Sequence, residues 1–113
     1  MNTLTSNVKA LAGTVVRKDF STGSKGFFTT GKVAGDNGLY QAQVTAILVG
    51  SKNEPGATIH ADNESARETL MQFVETNLSG KTFSSGKTGA YGSGKVAISG
   101  QVYQVAAQAV FVR

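Results

Sequence analysis

Two stretches of the chain alternate apolar and polar side chains. In Leu39–Val49, Tyr40, Ala42, Val44, Ala46 and Leu48 alternate with Gln41, Gln43 and Thr45. In Gln101–Val112, Tyr103, Val105, Ala107, Ala109 and Phe111 share one side, with Gln104 and Gln108 opposite. A period of two predicts half-buried strands. Each has a glycine-rich arm before it, Gly26–Ala34 and Gly89–Ile98, so each pair reads as a β-hairpin. The first turn is Gly35–Gly38, whose Asn37-Gly38 pair favours the positive φ of a tight turn; the second is Ser99-Gly100. Between the hairpins, Ala66, Leu70, Phe73, Val74 and Leu78 recur at helical spacing and predict a helix over 62–78. Asp62 or Asn63 is its candidate cap and Gly80 its candidate stop. Lys9–Phe20 reads as a further strand, bent or bulged at Gly13, and Ser51–Ala61, with Pro55-Gly56, as a loop.

The hairpins are copies. Phe20–Val49 aligned with Phe83–Val112 is identical at twelve of thirty positions, without a gap. The shared residues include Phe20/Phe83, Gly26/Gly89, Gly31/Gly94, Lys32/Lys95, Tyr40/Tyr103 and Gln41/Gln104. Two copies are too few for a solenoid. They predict one domain, residues 1–113, with pseudo-two-fold construction. The fold class expected is mostly β: five strands with one helix between the third and fourth. That order suits a five-stranded OB-like barrel, a small Greek key. A strongly curved open antiparallel sheet backed by one helix, like the whirly single-strand binders, is the alternative.

Composition narrows the chemistry. The chain has 113 residues, no cysteine and one histidine. Disulfides and thiolate metal sites are therefore excluded. MNTLTSNVKALAG has no continuous apolar run, so no secretory leader is expected, and no stretch is long and apolar enough to cross a membrane. A cytoplasmic location is expected. The net charge of +4 is unevenly spread: Glu54–Asn77 holds five acids and one base, the rest ten bases and two acids. Such a split predicts one anionic face and one face suited to a polyanion.

The repeated phrase GFFTTGK and GAYGSGK begins like a phosphate loop. Valine follows each lysine where a magnesium-binding hydroxyl is needed, and each phrase runs on into strand rather than helix. Strand geometry gives a better reading. Side chains alternate faces, so Phe28, Thr30 and Lys32 share a face, as do Tyr91, Ser93 and Lys95. Phe27, Thr29, Gly31 and Val33, and likewise Ala90, Gly92, Gly94 and Val96, fall on the other, expected inward. An exposed aromatic ring stacks on an unpaired base for about 1–3 kcal/mol with little sequence preference. A lysine about 13 Å along the strand meets a phosphate, and the hydroxyl between them meets sugar or phosphate. Arg17, Lys18, Lys25, Lys81 and Lys87 extend the positive track. The candidate contacts are therefore Arg17, Lys18, Lys25, Phe28, Thr30, Lys32, Lys81, Lys87, Tyr91, Ser93 and Lys95. Phe20, Phe83, Tyr40 and Tyr103 read as core.

In this layout, with LAGTVV in the first strand, basic aromatic strands and a helix after the third, the chain resembles OB-fold single-stranded DNA-binding proteins. The resemblance implies sequence-tolerant binding of single-stranded DNA in replication, recombination or repair, as a homo-oligomer, with a dimer favoured. RNA is the alternative ligand, since stacking and phosphate contacts read the sugar weakly. The acidic tail of common bacterial single-strand binders has no counterpart after Phe111-Val112-Arg113. No cofactor or metal is expected. Nor is catalysis, because His60 has no second histidine, cysteine or nucleophile elbow to work with. A self-assembling β module is the remaining class.

Overall fold

Leu4, Val8, Leu11 and Ala12 recur at three- and four-residue steps. In the computed structural model of the chain, which describes residues 3–20, 23–35, 37–50 and 59–113, they line the inner side of a helix, α1 (Thr3–Ala12). The backbone N–H of Gly13 bonds back to the carbonyls of Lys9 and Ala10 as the helix ends. A side chain at Gly13 would press on Sδ of Met71, 3.1 Å from its Cβ. Only Val16–Asp19 is extended, forming β1. The strand expected over Lys9–Phe20 is therefore the end of a helix, a turn and a four-residue strand. The β-branched pair Val15-Val16 favours strand locally, but the apolar spacing that begins at Leu4 is helical and has a core to bury against.

Six further elements follow: β2 (Lys25–Gly35), β3 (Gly38–Leu48), α2 (Asn63–Asn77), β4 (Ser79–Thr82), β5 (Thr88–Ile98) and β6 (Gln101–Phe111). Both expected hairpins form. Ser99 and Gly100 take φ of 52° and 81° in the second turn. The first turn includes Asp36, which lies outside the described residues, as do 51–58 of the expected loop. The Asp62 side chain caps α2 by accepting from the Ser65 N–H at 2.7 Å. The helix stops at Leu78, not at Gly80, which belongs to β4.

The sheet is antiparallel, in the order β1-β2-β3-β6-β5-β4. It is six-stranded and open, where a five-stranded barrel with one helix was the first expectation. Closure would require β1 to meet β4, and these are the two opposite edges. The chain is thus helix–three strands written twice, and the repeat seen in the hairpins extends over the whole domain.

Both helices cover one face of the sheet. Tyr40, Ala42, Val44, Ala46 and Leu48 of β3 and Tyr103, Val105, Ala107 and Ala109 of β6 are buried there, under Val8, Ala12, Ala66, Leu70, Phe73 and Val74. The alanines in the middle strands let the helices sit close, while Phe27, fully buried, fills the space beside the Tyr103 ring at 5.8 Å. Each large apolar side chain so buried contributes about 1.5–3 kcal/mol. Polar contacts tie the helices to each other and to the segment before β1. Lys9 and Glu75 pair at 2.9 Å between the helices, and Arg67 Nε donates to the Val15 carbonyl at 2.9 Å. The opposite face carries no helix. Among the described residues, no helix is long and apolar enough to cross a membrane.

Candidate nucleic-acid interface

The helix-free face can be reconstructed from strand register. Phe28 lies across from Val16 and Thr45, and Tyr91 across from Ser79 and Gln108. Phe28 and Tyr91 are half-buried, whereas Thr30, Lys32, Ser93 and Lys95 are exposed. The neighbouring Phe27 and Ala90 face the core. The expected facing of both glycine-rich arms is therefore the one found.

Lys18 joins this face through its pairing with Gly26, and Lys81 through its pairing with Gly89. The Lys18 ammonium stands 5.3 Å from the centre of the Phe28 ring and 5.9 Å from that of Phe20. Lys81 does the same between Tyr91, at 4.5 Å, and Phe83, at 5.5 Å. Each such contact is worth about 0.5–1 kcal/mol at an exposed site. It holds the lysine upright between two rings.

Phe20 and Phe83 were expected in the core, and the structure corrects this. Both are half-buried at the edge of the helix-free face. The Phe20 ring meets Phe28 edge-on at 6.4 Å, and Phe83 lies against Gly89. Matching turns place them: the Phe20 N–H donates to the Ser24 carbonyl and the Phe83 N–H to that of Lys87, both at 2.8 Å. A sequence signal was present. Lys18-x-Phe20 and Lys81-x-Phe83 are spaced for one strand face and recur at the same offset as the rest of the repeat.

Two tracks result. The first runs Lys32, Thr30, Phe28, Lys18, Phe20; the second runs Lys95, Ser93, Tyr91, Lys81, Phe83. From strand rise, each is about 27 Å long. Gln41 and Gln104 lie between them, anchored alike: Gln41 Nε2 donates to the Gly31 carbonyl at 3.3 Å and Gln104 Nε2 to that of Gly94 at 3.1 Å. Among the described residues, none of Lys18, Lys32, Lys81 and Lys95 makes an ion pair, and no acidic side chain shares their face. The acids of α2 lie behind the sheet together with Lys9, Arg17, Lys25 and Arg67, so the helix side carries both signs and the helix-free face, among the described residues, only bases.

Two expected contacts, Arg17 and Lys25, lie off these tracks, and a third, Lys87, sits at the end of one. Arg17 points toward the helix side, where Nη2 donates to the carbonyls of Ile59 and Ala61 at 3.2 and 2.8 Å and secures the approach to α2. Lys25 is half-buried on the Phe27 side of β2, opposite Asp19. Strand alternation puts both on the wrong face, which their nearness in sequence concealed. Lys87 is exposed in the turn before β5, at the end of the second track, where its carbonyl accepts from the Phe83 N–H.

His60 is exposed in the segment leading to α2, and its backbone N–H donates to Gln101 Oε1 at 2.8 Å. Among the described residues, no group of three histidine or acidic side chains could hold a metal ion. Comparison with family models, curated proteins and solved structures returns no match.

Proposed function

We propose that the helix-free face binds single-stranded DNA without sequence preference, in replication, recombination or repair. The observation that carries this reading is the duplicated alternation of lysine and aromatic ring on one exposed sheet face that holds no acid among the described residues. Rings at 28 and 91 offer stacking surfaces, and the lysines offer phosphate contacts on either side of them. Both helices lie behind the sheet, away from the lysine tracks, and α2 is acidic, so neither is suited to a duplex groove. RNA enters the same tracks through the same contacts, and the ratio of oligo-dT to oligo-rU affinity measures the preference.

The test is a salt titration of binding to fluorescent oligo-dT, followed also by tyrosine emission. Tyr40 and Tyr103 are 6% and 0% exposed, so a tyrosine signal on binding reports Tyr91. A steep salt dependence with a Tyr91 signal is expected. No binding at low ionic strength would remove the reading.

A second reading, self-association as a homodimer, rests on four exposed valines. Val16, Val49, Val102 and Val112 are 43–51% exposed, and strand register places Val16 and Val102 on the helix-free face. A dimer formed there would occlude the tracks, so oligo-dT would shift the protein toward monomer in light scattering.

A further inference from the structure

We propose that one domain binds two single strands at once, one on each track and with opposite polarities, and thereby promotes the pairing of complementary strands. This rests on the single-strand reading above and goes further, because it follows from the number and direction of the tracks.

The first track lies along β2 and β1, the second along β5 and β4. Between β2 and β5 stand only β3 and β6, all four antiparallel to their neighbours. β2 and β5 therefore run in opposite directions, about 14 Å apart at 4.8 Å per strand interval. Each track has a chemical sense, lysine–hydroxyl–ring–lysine–ring, read in the direction opposite to that of its copy. Whatever strand polarity the first track prefers, the second prefers its reverse. Complementary strands need this relation.

The ground between the tracks suits bases turned inward. It carries Gln41, Gln43, Thr45, Gln104, Ala106 and Gln108, which offer amides and small side chains and no charge. The lysines stand on the outer margins: Lys18 and Lys81 on the two edge strands, Lys32 and Lys95 on the next strands in. Each backbone is thus neutralised from its own side. Neighbouring strands are rotated by about 20–25°, so the tracks are skewed by about 65° over three intervals. They approach most closely at the centre of the sheet. The arrangement fits the nucleation of a short paired stretch, from which a duplex leaves the protein.

Two measurements test this on the whole chain. Native mass spectrometry with non-complementary short oligo-dT, about five nucleotides long to match one track, should show two oligomers per domain. The variant Tyr91→Ala/Lys95→Ala, with one intact track, should show one. Annealing of two complementary oligonucleotides, followed by quenching, should be accelerated by the native protein at one domain per two strands. The single-track variant should bind oligo-dT yet lose most of that acceleration, as should its mirror, Phe28→Ala/Lys32→Ala. All four side chains are on the helix-free face, and circular dichroism checks that each variant is folded. One oligomer per native domain, or single-track variants that anneal as fast per bound strand, would overturn the two-strand proposal while leaving single-strand binding intact. Absence of any binding would overturn both.

Discussion

The strands of the two halves agree at more positions on the helix-free face than on the face that meets the helices, although Gly31/Gly94, Tyr40/Tyr103 and Ala46/Ala109 are shared on the latter. Lys18, Lys32, Gln41 and Phe20 in the first half recur as Lys81, Lys95, Gln104 and Phe83 in the second. Gly26 and Gly89 recur too, and a Cβ at either would collide with the carbonyl oxygen of Ala46 or Ala109. The large core side chains are placed differently. The first half buries Phe27 on the strand where the second has Ala90, and the second buries Phe73 on the helix where the first has the exposed Ala10. A core needs filled volume and tolerates different ways of filling it. An interface that uses a ring or a lysine needs that group at its own place.

Adjacent residues in the first half give the sharpest contrast. Phe27→Ala should destabilise the fold by about 3–5 kcal/mol, the cost of emptying a buried aromatic site. Phe28→Ala, one residue along, should cost far less stability. Urea denaturation of the two variants checks this, and equal losses would break the distinction between faces.

Phe28→Ala/Tyr91→Ala should weaken oligo-dT binding by about 1–3 kcal/mol for each lost stacking site. The salt slope should stay nearly unchanged, since no cation is removed. Anisotropy titrations at several salt concentrations measure both quantities. If this variant unfolds instead, these rings belong to the core.

Lysine variants sharpen the same comparison from the other side. Lys32→Ala and Lys95→Ala should each weaken binding to all sequences and lower the salt slope by about one unit or less. Their effects should match within error, because the repeat gives them equivalent places. Arg17→Met, away from the tracks, should leave the slope unchanged and lower the melting temperature, since the Ile59 and Ala61 carbonyls then lose their shared donor, Nη2.

The smallest effects concern the helices, where the halves diverge. Lys9→Met should cost no more than about 1 kcal/mol, because the Lys9–Glu75 pair is partly exposed and screened. Asp62 caps only α2, and its bond from the Ser65 backbone N–H holds its carboxyl below the usual range. A depressed carboxyl stabilises the fold above its unfolded-state pKa, and that contribution is lost as pH falls through the folded value. Asp62→Ala should therefore lower the melting temperature near neutral pH and converge with the native protein in acid. Thermal melts at both pH values check it.

The hairpins, the turn at Ser99-Gly100, the helix begun by Asp62 and the faces of the glycine-rich arms were all legible in the order of residues. All follow from local periodicity and cap chemistry, which need no distant partner. The order of residues also carried the repeat, but only where side chains are copied; α1 and α2 share too few residues to be matched. Tertiary structure decided the rest. Packing against the sheet made Thr3–Ala12 a helix in spite of the valines after it. The pairing of β3 with β6 left the sheet open and set the two tracks antiparallel. The pairing of β1 with β2, and of β4 with β5, brought Lys18 beside Phe28 and Lys81 beside Tyr91. Register and strand order arise from contacts between residues far apart in the chain, so no window of sequence contains them.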